Sequence, residues 1–282
     1  MKSKLKRIFL ICLVSAAALL VAFVIYFIIA VSISEPEIKD RSSLLLKRIV
    51  TPDSLYICGA GRLQKSESGI WELYLEGEPF ERGVICGKLC KELIVFQEQA
   101  FVGQIQKLIP SRFYLNFLKY FVGWFGRDID YYVNDEFKKE IFGISFSAAN
   151  DFDFIGPAYQ RMLNYHAAHD IGHALQNMNL VGCTSFGAWG NKTDDGSLII
   201  GRNFDFYAGD EFSKNKIVAF YKPTDGFKFM FVTWGGMIGV VSGMNERGLT
   251  VTINADKSEI PFSAKTPVSI IAREILQYAG NI

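Results

Sequence analysis

The sequence predicts an α+β protein set behind a membrane-spanning segment, and three observations carry that prediction. A charge-free apolar run opens the chain, helix-spaced apolar residues fill its middle, and strand-like runs parted by turn signals dominate after Gly182. The switch in character falls at Cys183.

The opening run is "IFLICLVSAAALLVAFVIYFIIAVSIS", Ile8 to Ser34. It exceeds the roughly 20 apolar residues that cross a bilayer as a helix. Lys2, Lys4, Lys6 and Arg7 precede it, and Glu35, Glu37 and Asp40 follow it. The positive-inside rule then predicts a cytoplasmic basic tail at 1–7, a transmembrane helix at 8–34 and an extracytoplasmic remainder. A cleaved signal peptide is the competing reading. It is disfavoured because the run is long for an h-region and no clear small-x-small site follows.

Residues 35–69 read as a juxtamembrane linker. "IWELYLEG", Ile70 to Gly77, alternates as a strand does, and "PFERGVICGKLCKELIVFQEQAFVGQIQKLI" then has helical spacing until Pro110 stops it. "SRFYLNFLKYFVGWFG" is strongly aromatic and suits an amphipathic helix lying either over the core or on the bilayer surface. Further helices are expected at 134–149 and at 157–178, the second with Pro157 near its first turn. The span 70–182 is therefore a mostly helical segment ahead of the strand-rich part of the chain, a prosegment if the chain is cut before Cys183.

From Cys183 the strand-like runs are "CTSFGAWG", "SLIIGRNFDF", "KIVAFYKP", "FKFMFVTW", "IGVVSGM" and "LTVTINA". Turn signals part them at Thr193–Gly196, Pro223–Gly226 and Asn245–Gly248. A helical pattern resumes at "PVSIIAREILQYAGNI". Lys and Arg number 30 against 29 Asp and Glu, a formal charge of +1, and no basic stripe is present, so nucleic acid is excluded as a partner.

Five cysteines are an odd count, and Cys12 lies in the apolar run. Cys58, Cys86 and Cys90 could include one disulfide on an oxidising face. Cys86 and Cys90, at i and i+4, equally suit packing as small hydrophobes, and that reading is preferred. No zinc-type CxxC pair occurs.

Cys183 is different. It sits between Gly182 and "TS", and chain cleavage before it would free an α-amino group titrating near pH 8, a suitable general base. Nucleophile and base would then share one residue, and the thioester formed is open to water or an amine. Gly182, with no side chain, leaves its carbonyl open to the Cys183 thiol.

At these residues a resemblance becomes specific. "GCTSFGAWGNKTDDGSLIIGRNFDF" looks like the nucleophile segment of the N-terminal-nucleophile (Ntn) hydrolases, and "GMNERGLTVTINA" resembles their Asn-x-x-Gly-Leu turn and following strand. The likeness is greatest to the acyl-coenzyme A:6-aminopenicillanic acid acyltransferase family, with choloylglycine hydrolases, penicillin V acylases and acid-ceramidase-like amidases as wider relatives. Weaker likeness lies in "PFERGVICGKL" and "IIAREILQYA".

The resemblance implies a four-layer αββα sandwich, with 183–282 as its catalytic segment and the fold incomplete at the C-terminus. Relatives place another asparagine, and often an arginine, further downstream. Cys183 is implied as the nucleophile, its freed amine as the base, Asp205 as the group orienting that amine, and Arg202 as the cation favouring thiolate. The Asn254 amide is implied as an oxyanion donor, with the Thr184 backbone as a further candidate. Arg202 and Asp205 also suit an ordinary ion pair, Asn254 a strand-end turn, and Asn203 a structural role. The implied substrate is a small amide or acyl compound, with no metal or organic cofactor.

Two rivals stand beside this. All three histidines, His166, His169 and His173, share one helix face in "HAAHDIGH", which suits a metal-dependent hydrolase, although the HExxH arrangement is missing. An inactive, truncated homologue that binds an acyl ligand is the other.

Overall fold

A run of residues with no polar face has nothing to gain from folding back on itself, and Lys2–Val31 forms one continuous helix, α1. The computed structural model describes residues 2–167, 170, 181–206, 209–254 and 265–281. Among them α1 alone is long and apolar enough to cross a membrane, and the rest of the protein does not bury it.

The stretch expected as a linker contains three short strands, β1 (Ile49–Val50), β2 (Tyr56–Cys58) and β3 (Gly61–Lys65). β4 (Trp71–Gly77) follows, close to its expected span. The single long helix expected after it is two. α2 (Pro79–Leu89) stops at Cys90, and α3 (Lys91–Leu108) starts beyond it. Among the described residues four more α-helices precede Cys183: α4 (Arg112–Phe125), α5 (Ile129–Tyr132), α6 (Asp135–Ser145) and α7 (Ala158–His166).

Beyond Gly182 the expected strands appear as β5 (Val181–Ala188), β6 (Ile199–Phe206), β7 (Ile217–Pro223), β8 (Phe229–Thr233), β9 (Ser242–Asn245) and β10 (Thr250–Thr252), with α8 (Val268–Tyr278) last. β9 is shorter than "IGVVSGM" suggests. Ile238, Val240 and Val241 are buried in the connection before it, so their apolar run marks core rather than strand.

Among the described residues eight strands make one sheet in the order β1-β2-β3-β4-β7-β8-β9-β10, while β5 and β6 pair only with each other. The joint is parallel, β4 against β7, with Trp71 opposite Ile217 through Gly77 opposite Pro223. The sheet centre therefore joins strands from either side of Cys183.

One face of this sheet is core. Leu73, Leu75, Ala219, Tyr221, Phe229 and Phe231 are all buried on it, beneath α2 and α8. Arg82 of α2 and Arg273 of α8 lie over Tyr221, and both reach the Glu140 carboxylate of α6, at 2.5 and 3.3 Å. All three charged side chains are fully buried. Removing Glu140 would leave two buried guanidinium groups without their shared anion, a change that costs about 3–5 kcal/mol. Close packing of α2 on α6 depends on two glycines. A Cβ at Gly83 would stand 2.0 Å from the Glu140 carbonyl oxygen, and one at Gly143 would stand 2.5 Å from that of Phe80.

The other face carries Phe220, Val232 and Met244, each more than a third exposed. Ser242 pairs with Val232 and so shares this face. Arg202 of β6 bonds Ser242, which places the β5–β6 hairpin over the open face near β9. The α+β class holds. Among the described residues, however, only this hairpin stands where the expected sandwich has a second sheet, and no helical layer covers it.

Candidate active site

Directly opposite residues of an antiparallel pair share a face, so the register of the hairpin decides which side chains can meet. Cys183 is opposite Phe204, and Ser185 is opposite Arg202. These four lie on one side, with Gly182, Thr184, Asn203 and Asp205 on the other. Arg202 is the diagonal neighbour of Cys183, and its Nη2 lies 3.6 Å from Sγ.

Arg202 does more than meet the thiol. Its Nη1 donates to Ser242 Oγ at 2.9 Å, and Nη2 also donates to the Ile253 carbonyl oxygen. Its guanidinium lies over the Phe204 ring, 4.5 Å from the centroid. Burial pulls its pKa down, while the neighbouring Cys183 sulfur and, more weakly, Asp205 pull it up. A guanidinium stays charged through such opposing pulls. The side chain thus fastens hairpin to sheet and sets a cation beside the sulfur in the intervening cleft.

Asp205 stands apart from this cluster. It is opposite Gly182 and accepts from Asn203 Nδ2 at 2.8 Å, on the face away from the thiol. Its place is beside the Gly182–Cys183 peptide, not beside Sγ. Asn254 follows Ile253, whose carbonyl Arg202 holds. Its amide is exposed, and its Nδ2 lies 3.4 Å from Thr252 Oγ1. Arg202, Cys183 and the end of β10 are brought together, while Asp205 flanks the neighbouring bond.

Below the hairpin is an apolar cavity of about 70 Å³, walled by Phe101, Tyr165, Phe204, Phe212, Trp234 and Met237 among others. Phe204 is opposite Cys183 and shares its face, so the cavity opens next to the thiol's strand pair. An engineered apolar cavity of about 150 Å³ takes up benzene. This one suits a short apolar fragment unless the wall moves. Glu98 also lines it, and is tied back to Arg161 Nε at 3.2 Å and Tyr165 Oη at 3.1 Å. Lys216 crosses the Trp234 ring at 4.8 Å, and burial lowers its pKa to about 8.

The sequence missed Ser242, the Ile253 carbonyl and the aromatic wall. No local signal marks them, because each is recruited by a contact between segments distant in the chain. The Asn245 turn has a structural explanation. Its Oδ1 accepts from the Arg247 and Leu249 amides, and its Nδ2 donates to the carbonyls of Leu276 and Ala279, near the end of α8. Gly248 completes the turn at φ +83°.

The histidine alternative is not favoured. His166 is buried, its Nδ1 bonds the Met162 carbonyl at 2.7 Å, and its Nε2 accepts the Ile238 amide at 2.9 Å. Both nitrogens are taken, and burial pushes the pKa down to about 4. His169 and His173 lie outside the described residues. No group of three metal-capable side chains occurs among the described residues. Cys58, Cys86 and Cys90 are free, buried thiols in the core.

Residues 191–282 match the model of the acyl-coenzyme A:6-aminopenicillanic acid acyl-transferase family. That span holds Arg202, Asp205 and Asn254 and begins after Cys183. Family likeness of this kind suggests acyltransferase or Ntn-hydrolase-like chemistry for the segment. Two curated proteins are also similar. An "Uncharacterized protein" of Archaeoglobus fulgidus is 26% identical over 238 residues, covering 76% of this chain and 38% of its own length. "Protein dcd1B" of Dictyostelium discoideum is 27% identical over 230 residues, covering 74% of this chain and 43% of its own. The chain thus spans about two fifths of the length of these relatives.

Proposed function

We propose that this protein is a self-processing cysteine Ntn hydrolase or acyltransferase acting on linear amides, held at a membrane by α1. One observation carries the reading. Arg202 holds a cation 3.6 Å from the Cys183 sulfur, within a segment whose downstream part resembles an acyl-transfer family.

Maturation starts with attack of the Cys183 thiol on the Gly182 carbonyl. The peptide C–N bond breaks as the C–S bond forms, and the amine takes the thiol proton. Water then hydrolyses the thioester, leaving a Gly182 carboxylate and a free Cys183 amine. Asp205 is assigned to orient that amine, and its register opposite Gly182 supports the assignment.

In turnover the Cys183 sulfur attacks the substrate carbonyl, and the α-amine accepts the thiol proton and passes it to the departing amine. A thioester remains on Cys183, and water or a second amine takes the acyl group from it. Arg202 favours the thiolate. Asn254 and the Thr184 amide are the donors assigned to the developing oxyanion, where one donor is worth about 3–4 kcal/mol. The apolar cavity beside Phe204 takes the acyl part. No metal or organic cofactor enters.

By the positive-inside rule the basic tail supports a cytoplasmic N-terminus with the catalytic part on the other side of the membrane. Residues 70–182 form the prosegment, and 183–282 belong to the catalytic chain.

Intact mass and N-terminal sequencing of the wild type beside Cys183→Ala test this. A new N-terminus beginning Cys-Thr-Ser-Phe in the wild type alone supports it. A cut at the same bond in Cys183→Ala would overturn it. A wild-type chain that remains whole yet acylates Cys183 would leave an acyl-binding thiol without self-processing.

A further inference from the structure

The aromatic helix α4 has two apolar faces where a surface helix needs one. Its inner side is satisfied by the protein itself. Leu115, Leu118 and Val122 are half-buried, and Phe125 is 6% exposed. The opposite side carries Phe113, Phe117, Tyr120 and Phe121, which are 85, 60, 53 and 46% exposed. At about 100° per residue these four fall within one arc of roughly 100°. Core packing accounts for the inner residues and leaves this stripe unexplained.

The stripe ends against α1. Trp124, next along the same arc, stacks on Phe27 with centroids 5.5 Å apart and rings 5° from parallel. Tyr120 meets Phe27 edge-on at 6.1 Å. A Cβ at Gly123 would lie 3.5 Å from Val31 Cβ, and Gln160 Nε2 donates to the Val31 carbonyl at 2.7 Å. From Ile8 to Val31 the apolar helix runs about 36 Å, against a hydrocarbon core of about 30 Å. Its last turns, which touch α4, therefore stand at the boundary between acyl chains and headgroups.

We propose that the Phe113–Phe121 face of α4 docks into the phospholipid interface of the bilayer that α1 enters. This rests on the anchoring role given to α1. The exposed apolar surface of α1 continues into the stripe through Phe27 and Trp124, so both face the same medium. The composition suits that depth, since Phe, Tyr and Trp settle at the level of the headgroups. Lys119 and Arg127 flank the stripe, over the rings of Tyr120 at 5.2 Å and Trp124 at 4.5 Å, where anionic headgroups can approach them. Docking would fix the orientation of the catalytic body relative to the bilayer, where a single helix alone would let it swing.

The test uses the full chain in phosphatidylcholine vesicles containing lipid brominated on its acyl chains, which quenches fluorescence on contact. A fluorescent amino acid replaces Val21 within α1, Phe117 on the stripe, or Ser68 on the exposed turn between β3 and β4. Docking predicts strong quenching at Val21 and Phe117 and none at Ser68. Quenching at Val21 alone would overturn docking while leaving the anchor standing, and a stripe covered by a second copy of the chain would give that same pattern. No quenching at Val21 would remove the anchor, and the docking proposal with it. Equal quenching at Ser68 would mean adsorption of the whole surface and would overturn the specific orientation.

Discussion

Arg202 and Cys183 sit on neighbouring strands of a hairpin that pairs with no other strand among the described residues, and the arginine links the sulfur's surroundings to the main sheet through Ser242 and Ile253. Its substitution therefore has two effects of opposite sign on the thiol. On the role proposed for Arg202, losing the cation makes the sulfur less nucleophilic, while loosening the hairpin makes it more accessible.

Electrostatics should win. Arg202→Ala is expected to slow iodoacetamide labelling of Cys183 several-fold near neutral pH, in line with a half-buried ionic contact worth on the order of 1 kcal/mol. Arg202→Lys, which keeps the charge, should lie between. Peptide mass spectrometry follows Cys183 separately from the buried Cys58, Cys86 and Cys90. Faster labelling in Arg202→Ala would mean the arginine acts as a clasp and not as a charge.

His166 predicts an acid-sensitive fold. It is held neutral by burial, with a folded pKa of about 4 against 6.5 when unfolded. The unfolded chain thus binds the extra proton more readily, and stability is fully present above pH 6.5 and lost as pH falls towards 4. Over that window the loss approaches about 3 kcal/mol. Urea midpoints in detergent, read by tryptophan emission, should fall across it, and His166→Gln should flatten the slope. A midpoint that is constant between pH 6.5 and 5 would contradict the neutral, doubly bonded imidazole.

Two glycine substitutions in adjacent helices should have opposite outcomes. At Gly83 a methyl group would run into the α6 backbone, so Gly83→Ala should destabilise by about 1–3 kcal/mol or more. At Gly103, in α3, an added Cβ meets nothing within 4 Å, and Gly103→Ala should stabilise by roughly 1 kcal/mol. Thermal midpoints of the two variants decide the matter, and a Gly83→Ala variant as stable as the wild type would count against the α2–α6 crossing.

Legibility in the sequence follows the range of the forces involved. α1, β4, α6, β7, β8 and α8 lie near their expected spans because each is written in local periodicity. β1 to β3 fall inside the expected linker because strands of two, three and five residues are too short for alternation to register. The division of one expected helix at Cys90 has no Gly or Pro to announce it. The hairpin of Cys183 is visible from its turn residues, and its register puts Arg202 near the thiol without any further help. The placement of Asp205 on the opposite face follows from the same period of two. Ser242 and Phe204 join the site only through tertiary contact, which no local pattern encodes.

The parallel ladder between β4 and β7 has a consequence for any molecule cut at Gly182–Cys183. Its two pieces would stay hydrogen-bonded along seven register pairs in the middle of one sheet, and further clamped by Glu140 of the first piece on Arg273 of the second. Having folded as one chain, such a molecule could not regain its shape by a unimolecular route. Once unfolded, its halves would have to find each other by diffusion, so recovery would depend on concentration and compete with aggregation. Its lifetime would then be set by how slowly the ladder opens and not by an equilibrium between folded and unfolded forms.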